Sequence, residues 1–180
     1  WPGQGLSIPN HNSEGKSIEE QKKERIKNIE DLDEFFNQAE AYKRRRLAPP
    51  KSKTDLNPSW EAMLPFVSQK LPLVIHADEK RQIVSALDWA EKRKYKIIIS
   101  GGRDSWKIAE RVATMQVPVI YRHVFSAPPQ TNLAHDIHFR APGILARAGV
   151  ELSIGLRLGA WSAANQRNLP YHAAHAIPLG

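Results

Sequence analysis

Between Leu73 and Ile154 short apolar runs alternate with longer stretches whose apolar residues recur every three or four positions. The runs are Leu73-Val74-Ile75, Lys96-Ile97-Ile98-Ile99, Val117-Pro118-Val119-Ile120 and Val150-Glu151-Leu152-Ser153-Ile154. Nearly unbroken β-branched runs of this length predict strands buried on both faces. The stretches between them, 81–94, 105–115 and 136–148, have helical periodicity, and a closing helix runs from about 163 or 170 to 176. Strand and helix in regular turn predict right-handed parallel βα units, as half of a (β/α)-barrel or as a small doubly wound sheet.

Upstream the pattern changes. Residues 1–16 are rich in Gly, Pro, Asn and Ser and read as irregular. Ser17-Ile18-Glu19-Glu20 is a capping-box pattern that opens a long charged helix. Ile26, Ile29, Leu32, Phe36, Ala39 and Tyr42 share one face, with Phe35 alongside. Asp31 and Asp33 suit a restart, so one helix or two meeting near Asn28 both fit. Pro49 to Lys53 reads as a linker, and Asn57-Pro58 opens a short helix with Trp60, Met63, Leu64 and Val67 inward. The expected organisation is an irregular segment (1–16), a helical lead-in (17–69) and a (β/α) half-barrel (70–180). The fold class is α/β, a partial TIM-barrel-like repeat with parallel strands preceded by a helical segment.

Composition narrows the partners. The 180 residues carry a formal net charge of +7, which raises nucleic acid as a partner. The excess sits in two clusters, Lys43-Arg44-Arg45-Arg46 with Lys51 and Lys53, and Lys92-Arg93-Lys94-Lys96. The first falls at a helix end, where cations suit the dipole, so no nucleic-acid partner is expected. The absence of cysteine excludes disulfides and thiolate zinc sites and leaves a His/carboxylate metal site open. No apolar run approaches the ~20 residues of a membrane span. Trp1 and Gly180 read as cuts through something larger, so no expectation about export is formed.

Polar residues stand where the apolar runs stop: His76-Ala77-Asp78-Glu79, Ser100-Gly101-Gly102-Arg103-Asp104 and Tyr121-Arg122-His123. Strand C-termini are where α/β folds build active sites. Each residue also has a plainer reading. His76 fits a strand-end histidine satisfied by Asp78, and His123 fits either the same rim or a loop histidine bonded to backbone. The pairs His135/His138 and His172/His175, three apart on a helix, read as polar surface pairs. Trp60, Trp89, Trp106 and Trp161 read as core or helix-packing residues.

Residues 71–176 resemble the metal-dependent amidohydrolase superfamily, in particular its imidazolonepropionase-related members. The resemblance is carried by Pro72-Leu73-Val74-Ile75-His76-Ala77-Asp78-Glu79, by Gly101-Gly102 with Trp106-Lys107-Ile108-Ala109, and by Gly149-Val150-Glu151-Leu152 followed by Arg167-Asn168-Leu169-Pro170-Tyr171. It implies the fifth to eighth strands of a TIM barrel in which one or two metal ions activate water against an amide-like bond. His76 matches the metal-ligating histidine after the fifth strand, and Glu79 a carboxylate contacting substrate or metal-bound water. Asp78, Gly101, Gly102, His123, Arg157, Arg167 and Asn168 are the remaining candidate rim or substrate residues.

The resemblance also has departures. Gly101 stands where the family has a histidine after the sixth strand, and Arg157 near the catalytic aspartate after the eighth. The first strand's His-x-His pair does not occur in the chain. Zinc needs about three protein ligands, and an arginine about 4 Å from a divalent ion is repelled by about 8 kcal/mol at an effective dielectric of about 20. The expectation is therefore a fragment without cofactor and without catalysis of its own. Zinc or iron belongs to a full-length parent acting on a small-molecule C–N bond. Two alternatives stand beside it, a degenerate barrel kept for small-molecule binding or scaffolding, and an ATP-pyrophosphatase-type loop at Ser100–Ser105. The open sheet is expected to associate as a homo-oligomer through Val74, Ile98, Val119 and Leu152 or their neighbours, the alternative being that the helices of 17–69 fold over the open face and cap it.

Overall fold

The structure is a computed structural model that describes residues 6–7, 18–48, 56–128, 133–156 and 159–176. The chain divides into two compact units, Trp1–Ile8 with Leu73–Gly180, and Pro9–Pro72.

In the larger unit, strands β1 (Leu6–Ser7), β2 (Leu73–Ala77), β3 (Ile97–Gly101), β4 (Val119–Tyr121) and β5 (Leu152–Ile154) form one sheet in the order β1-β2-β3-β4-β5. Every pairing is parallel. Helices α3 (Lys80–Arg93), α4 (Ala109–Thr114) and α5 (Ile137–Arg147) connect successive strands, and α6 (Ala160–Ala164) and α7 (Leu169–Ala176) follow β5. A strand order that never reverses, joined by right-handed crossovers, keeps the connecting helices on one face. That is the winding of a barrel rather than of a doubly wound sheet. The fold is α/β, a partial TIM-barrel-like (β/α) repeat.

The helix-packed face holds the core. Leu73, Ile75, Ala77, Ile97, Ile99, Val119 and Tyr121 are buried, as are Ile83, Ala86, Leu87 and Ala90 of α3. Helix α3 packs on β2, while α5 and α7 pack on β5. The other face, which a closed barrel would turn inward, presents Val74, His76, Ile98, Ser100, Ile120 and Ser153. Val74 is 37% exposed, and His76, Ile98 and Ile120 are half-buried.

Two expectations need correction. Leu6–Ser7, in a segment read as irregular, pairs with Ile75 and His76 and adds a fifth strand. Val119 and Leu152 lie on the helix-packed face, because Val119 pairs with Ile99 and Leu152 with Val119. The interior-side residues are their neighbours Ile120 and Ser153. A run that is apolar throughout cannot show which alternate set faces inward.

The smaller unit contains α1 (Ile18–Leu47) and α2 (Pro58–Val67). α1 is one continuous helix, with acidic residues in its first turn and Arg44, Arg45 and Arg46 in its last. Asn57 caps α2 through Oδ1, which accepts from the amides of Ser59 and Trp60. Phe36, Ala39, Tyr42 and Val67 are buried, whereas Ile26 and Phe35 are exposed, so the apolar stripe is buried mainly in its C-terminal half. The Tyr42 hydroxyl donates to Glu61 at 2.6 Å, Arg46 pairs with Glu61 at 2.8 Å, and Lys43 donates to the Val67 carbonyl at 3.0 Å. Part of the first basic cluster is thus spent on α2. Among the described residues no helix is long and apolar enough to cross a membrane.

Candidate functional site at the strand C-termini

Because the strands are parallel, the polar ends of β2, β3 and β4 meet at one rim. The chain leaves β2 at Asp78, which sits against Gly101 at the end of β3. Gly101 has φ +110, and a Cβ there would lie 2.2 Å from Asp78 Oδ1. Only glycine leaves the carboxylate its place. Gly102 (φ +67) faces Val119 Cγ1, which a Cβ would meet at 2.9 Å.

Asp78 Oδ1 accepts from Nε2 of His123 at 2.7 Å, and His123 Nδ1 is 3.0 Å from Ser126 Oγ. His123 is 6% exposed. Burial alone would push the Asp78 carboxyl up. The hydrogen bond from His123, its charge and those of Arg103 and Arg122 together outweigh burial and hold the group below the usual carboxylate range. Asp78 therefore remains an ionised acceptor.

The main chain around it is also bonded. Gln82 Oε1 accepts from the amides of Asp78 and Glu79, each at 3.1 Å. The amides of Gly102 and Asp104 donate to the carbonyls of Ala77 and Asp78 at 2.9 and 2.8 Å. Asp104 Oδ2 accepts from the Lys80 amide at 3.3 Å, and its Oδ1 lies 3.1 Å from Lys107 Nζ. The loop after β3 therefore closes the N-terminus of α3. Glu79 lies 3.8 Å from Arg103.

His76, on the interior side of β2, has Arg122 as its neighbour. Arg122 Nη2 lies 3.2 Å from His76 Nδ1. Burial and, next, the Arg122 charge hold the imidazole below its ordinary value, against the opposing effect of Asp78. Neutral His76 accepts from the guanidinium. Gly155, opposite Arg122, leaves space for its stem: a Cβ there would meet Ile120 Cγ2 at 2.9 Å and Arg122 Cγ at 3.2 Å.

The structure thus gathers His76, Asp78, Glu79, Gly101, Gly102 and His123 at one rim, and it gives Asp78 to His123 rather than to His76. Arg167 and Asn168 sit in a 3₁₀ turn (Gln166–Asn168), where Arg167 is exposed and Asn168 bonds locally to Asn165 at 3.3 Å. Arg157 lies outside the described residues. Among the described residues no group of three or more His, Asp or Glu side chains is arranged to hold a metal ion.

Sequence reasoning missed Arg122 and Ser126. Arg122 was in view as the residue two after Ile120, on the interior side if β4 keeps its alternation. Ser126 gives no signal short of the turn itself. His138 is not a surface residue: it is 1% exposed, and its Nδ1 is 2.8 Å from the Tyr121 hydroxyl. Burial, then the charges of His123, Arg103 and Lys107, lower its pKa to about 4 against the pull of Asp104. Burial pushes the Tyr121 phenol far up. His172 and His175 lie at ring distances of 4.5 and 5.1 Å from Phe125. Trp89 is buried, Trp60 and Trp106 are half-buried, and the Trp161 side chain is outside the described set.

No protein-family model matches the chain, and no curated protein matches its sequence. Among solved structures it is similar to the crystal structure of an amidohydrolase from Thermotoga maritima MSB8, with a TM-score of 0.72 at 21% sequence identity. The match covers 87% of this chain and 40% of that one. At that identity the likeness establishes the fold.

Two predictions follow from the rim's packing. Gly101→Ala is expected to cost roughly 2–4 kcal/mol in urea unfolding, from the clash with Asp78 plus the backbone conformation. Gly149→Ala, where φ is +87 and nothing lies within 4 Å of the added Cβ, isolates the conformational part at about 1–2 kcal/mol. The second concerns acid. His138 has a folded-state pKa of about 4, below the unfolded ~6.5, so the unfolded chain binds more protons between those values. Its share of stability is lost as pH falls through that window, on the order of 1–2 kcal/mol between about pH 7 and about pH 5. His138→Gln, which keeps a partner for Tyr121, is expected to shrink that difference in paired urea titrations.

Proposed function

We propose that the chain is part of an amidohydrolase-like barrel protein of the imidazolonepropionase-related kind. The reaction of the whole protein is hydrolysis of a cyclic amide or other C–N bond in a small-molecule substrate. Support comes from the unreversed parallel winding, from the structural likeness over 87% of the chain, and from His76-Ala77-Asp78-Glu79 at the end of β2.

The observation that carries the reading further is the His76–Arg122 contact at 3.2 Å. The histidine that would ligate a metal faces a guanidinium instead. A divalent ion about 4 Å from that charge would meet about 8 kcal/mol of repulsion at an effective dielectric of about 20. One imidazole does not offset this, and Ser100 and Gly101 add no strong ligand. The residues present do not fit the family's metal, so we propose that these 180 residues hold none and perform no metal-dependent hydrolysis. Zinc or iron in a full-length parent would need ligands from elsewhere. The same contact favours, as a second reading, a degenerate barrel that binds a small molecule or serves as scaffold.

The ATP-loop reading finds less support. A phosphate cradle needs free backbone amides, and those of Gly102, Asp104 and Ser105 donate to the carbonyls of Ala77, Asp78 and Gly102. We propose no nucleic-acid partner and no membrane partner. We further propose self-association through the sheet's interior side, where Val74, Ile98 and Ile120 are incompletely buried.

Elemental analysis of the purified chain is expected to find well under about one zinc, iron or manganese per chain. About one equivalent, lost on His76→Ala, would sink the metal-free reading. In sedimentation equilibrium at tens of micromolar, the chain is expected to exceed monomer mass, and Val74→Lys is expected to shift it toward monomer. A monomer at every concentration would end the association proposal.

A further inference from the structure

Asp78, His123 and Ser126 form a continuous relay. Asp78 Oδ1 is 2.7 Å from His123 Nε2, and His123 Nδ1 is 3.0 Å from Ser126 Oγ. An ionised carboxylate only accepts, so Nε2 carries the proton shared with Asp78. In the neutral ring Nδ1 then keeps its lone pair toward Ser126 and accepts from the hydroxyl. This is the polarity of an activated serine, with the two ring nitrogens exchanged relative to the common triad.

We propose that Ser126 is a nucleophile for acyl transfer, activated by His123 and oriented through Asp78, and that it takes small esters or amides with an apolar acyl group. The proposal goes beyond the barrel reading and does not depend on it, because no metal takes part.

Several features support it. The relay stands at the C-terminal end of β4, on the rim where an α/β fold presents its chemistry. His123 is fixed from β2, by a carboxylate 45 positions away, so the ring's tautomer is set by tertiary structure. Ser126 also closes a turn, its amide donating to the His123 carbonyl at 2.9 Å. That bond accounts for the backbone and does not require the imidazole to be bound to a carboxylate. Ser126 is half-buried, and the preceding Phe125 is 50% exposed. The rings of Phe139, His172 and His175 lie 5.3, 4.5 and 5.1 Å from Phe125. This aromatic cluster, built on the residue before Ser126, is suited to an apolar acyl chain.

The chemistry balances without a co-reactant other than water. Ser126 Oγ forms a bond to the carbonyl carbon while its proton passes to His123 Nδ1. The C–O or C–N bond of the substrate breaks, and the same proton leaves on the alcohol or amine. Water then attacks the acyl-serine ester, giving its proton to Nδ1, and the acid departs as Ser126 recovers its hydrogen.

The test uses an alkyl fluorophosphonate, which phosphonylates activated serines, with the adduct located by peptide mass spectrometry. The native chain is expected to be labelled at Ser126 about a hundredfold or more faster than the urea-unfolded chain, the scale of general-base assistance. Ser126→Ala should remove the adduct. His123→Gln and Asp78→Asn, checked for native circular dichroism, should slow it at least about tenfold. Phe125→Ala should slow labelling by a long-chain probe more than by a methyl one. Equal labelling of native and unfolded chains, or no adduct at Ser126, would overturn the proposal without touching the barrel reading. The native-versus-unfolded comparison decides the matter even if a relay variant fails to fold.

Discussion

A carboxylate must be held at the point where three strands end, and the rest of the rim is arranged around it. A buried carboxylate without partners costs several kcal/mol. Asp78 is part-buried, and two features let it sit there. Gly101 removes the Cβ that would stand 2.2 Å from Oδ1, and His123 supplies a hydrogen bond at 2.7 Å. The first ties the end of β2 to β3, and the second ties it to the segment after β4. The Asp78 carbonyl then takes the Asp104 amide at 2.8 Å, and Asp104 takes the Lys80 amide. One charge therefore fixes three strand ends and the start of α3. The geometry of the candidate relay is a consequence of this packing.

Much of the sheet was legible because its signal is local. Three of the four apolar runs end at a polar cluster, and the four runs became β2 to β5. The helices between them follow from periodicity, and the Asn57 cap from residue type. Leu6–Ser7 was not legible, since a two-residue strand has no period to detect. The inward face was not legible either. Val119 and Ile120 are equally apolar, and only the register against Ile99 and Ser100 decides that Val119 meets the helices.

The candidate site was legible as a location but not as a set of contacts. Strand ends placed His76, Asp78, Gly101 and His123 on one rim. Which carboxylate serves which histidine depends on side-chain direction over 45 residues of sequence, and the near neighbours His76 and Asp78 looked like the natural pair. They point to opposite tasks instead. His138 was misread for a related reason. Spacing alone put it on a helix face with His135, but the face turned to the core belongs to His138, where Tyr121 waits 2.8 Å away.

The interior side of the rim sets a guanidinium beside a histidine. A metal centre needs donors converging on one point, each able to give a lone pair. Here the successive positions offer an imidazole at His76, a hydroxyl at Ser100, a guanidinium at Arg122 and no side chain at Gly155. The missing side chain is as informative as the others. A Cβ at Gly155 would crowd Arg122 Cγ at 3.2 Å, so the glycine leaves room for the stem that brings the guanidinium to His76. The positive charge on this rim is covalently attached to the chain. A fixed guanidinium cannot lower the pKa of a bound water as a Lewis acid does. It can only attract, orient and donate hydrogen bonds.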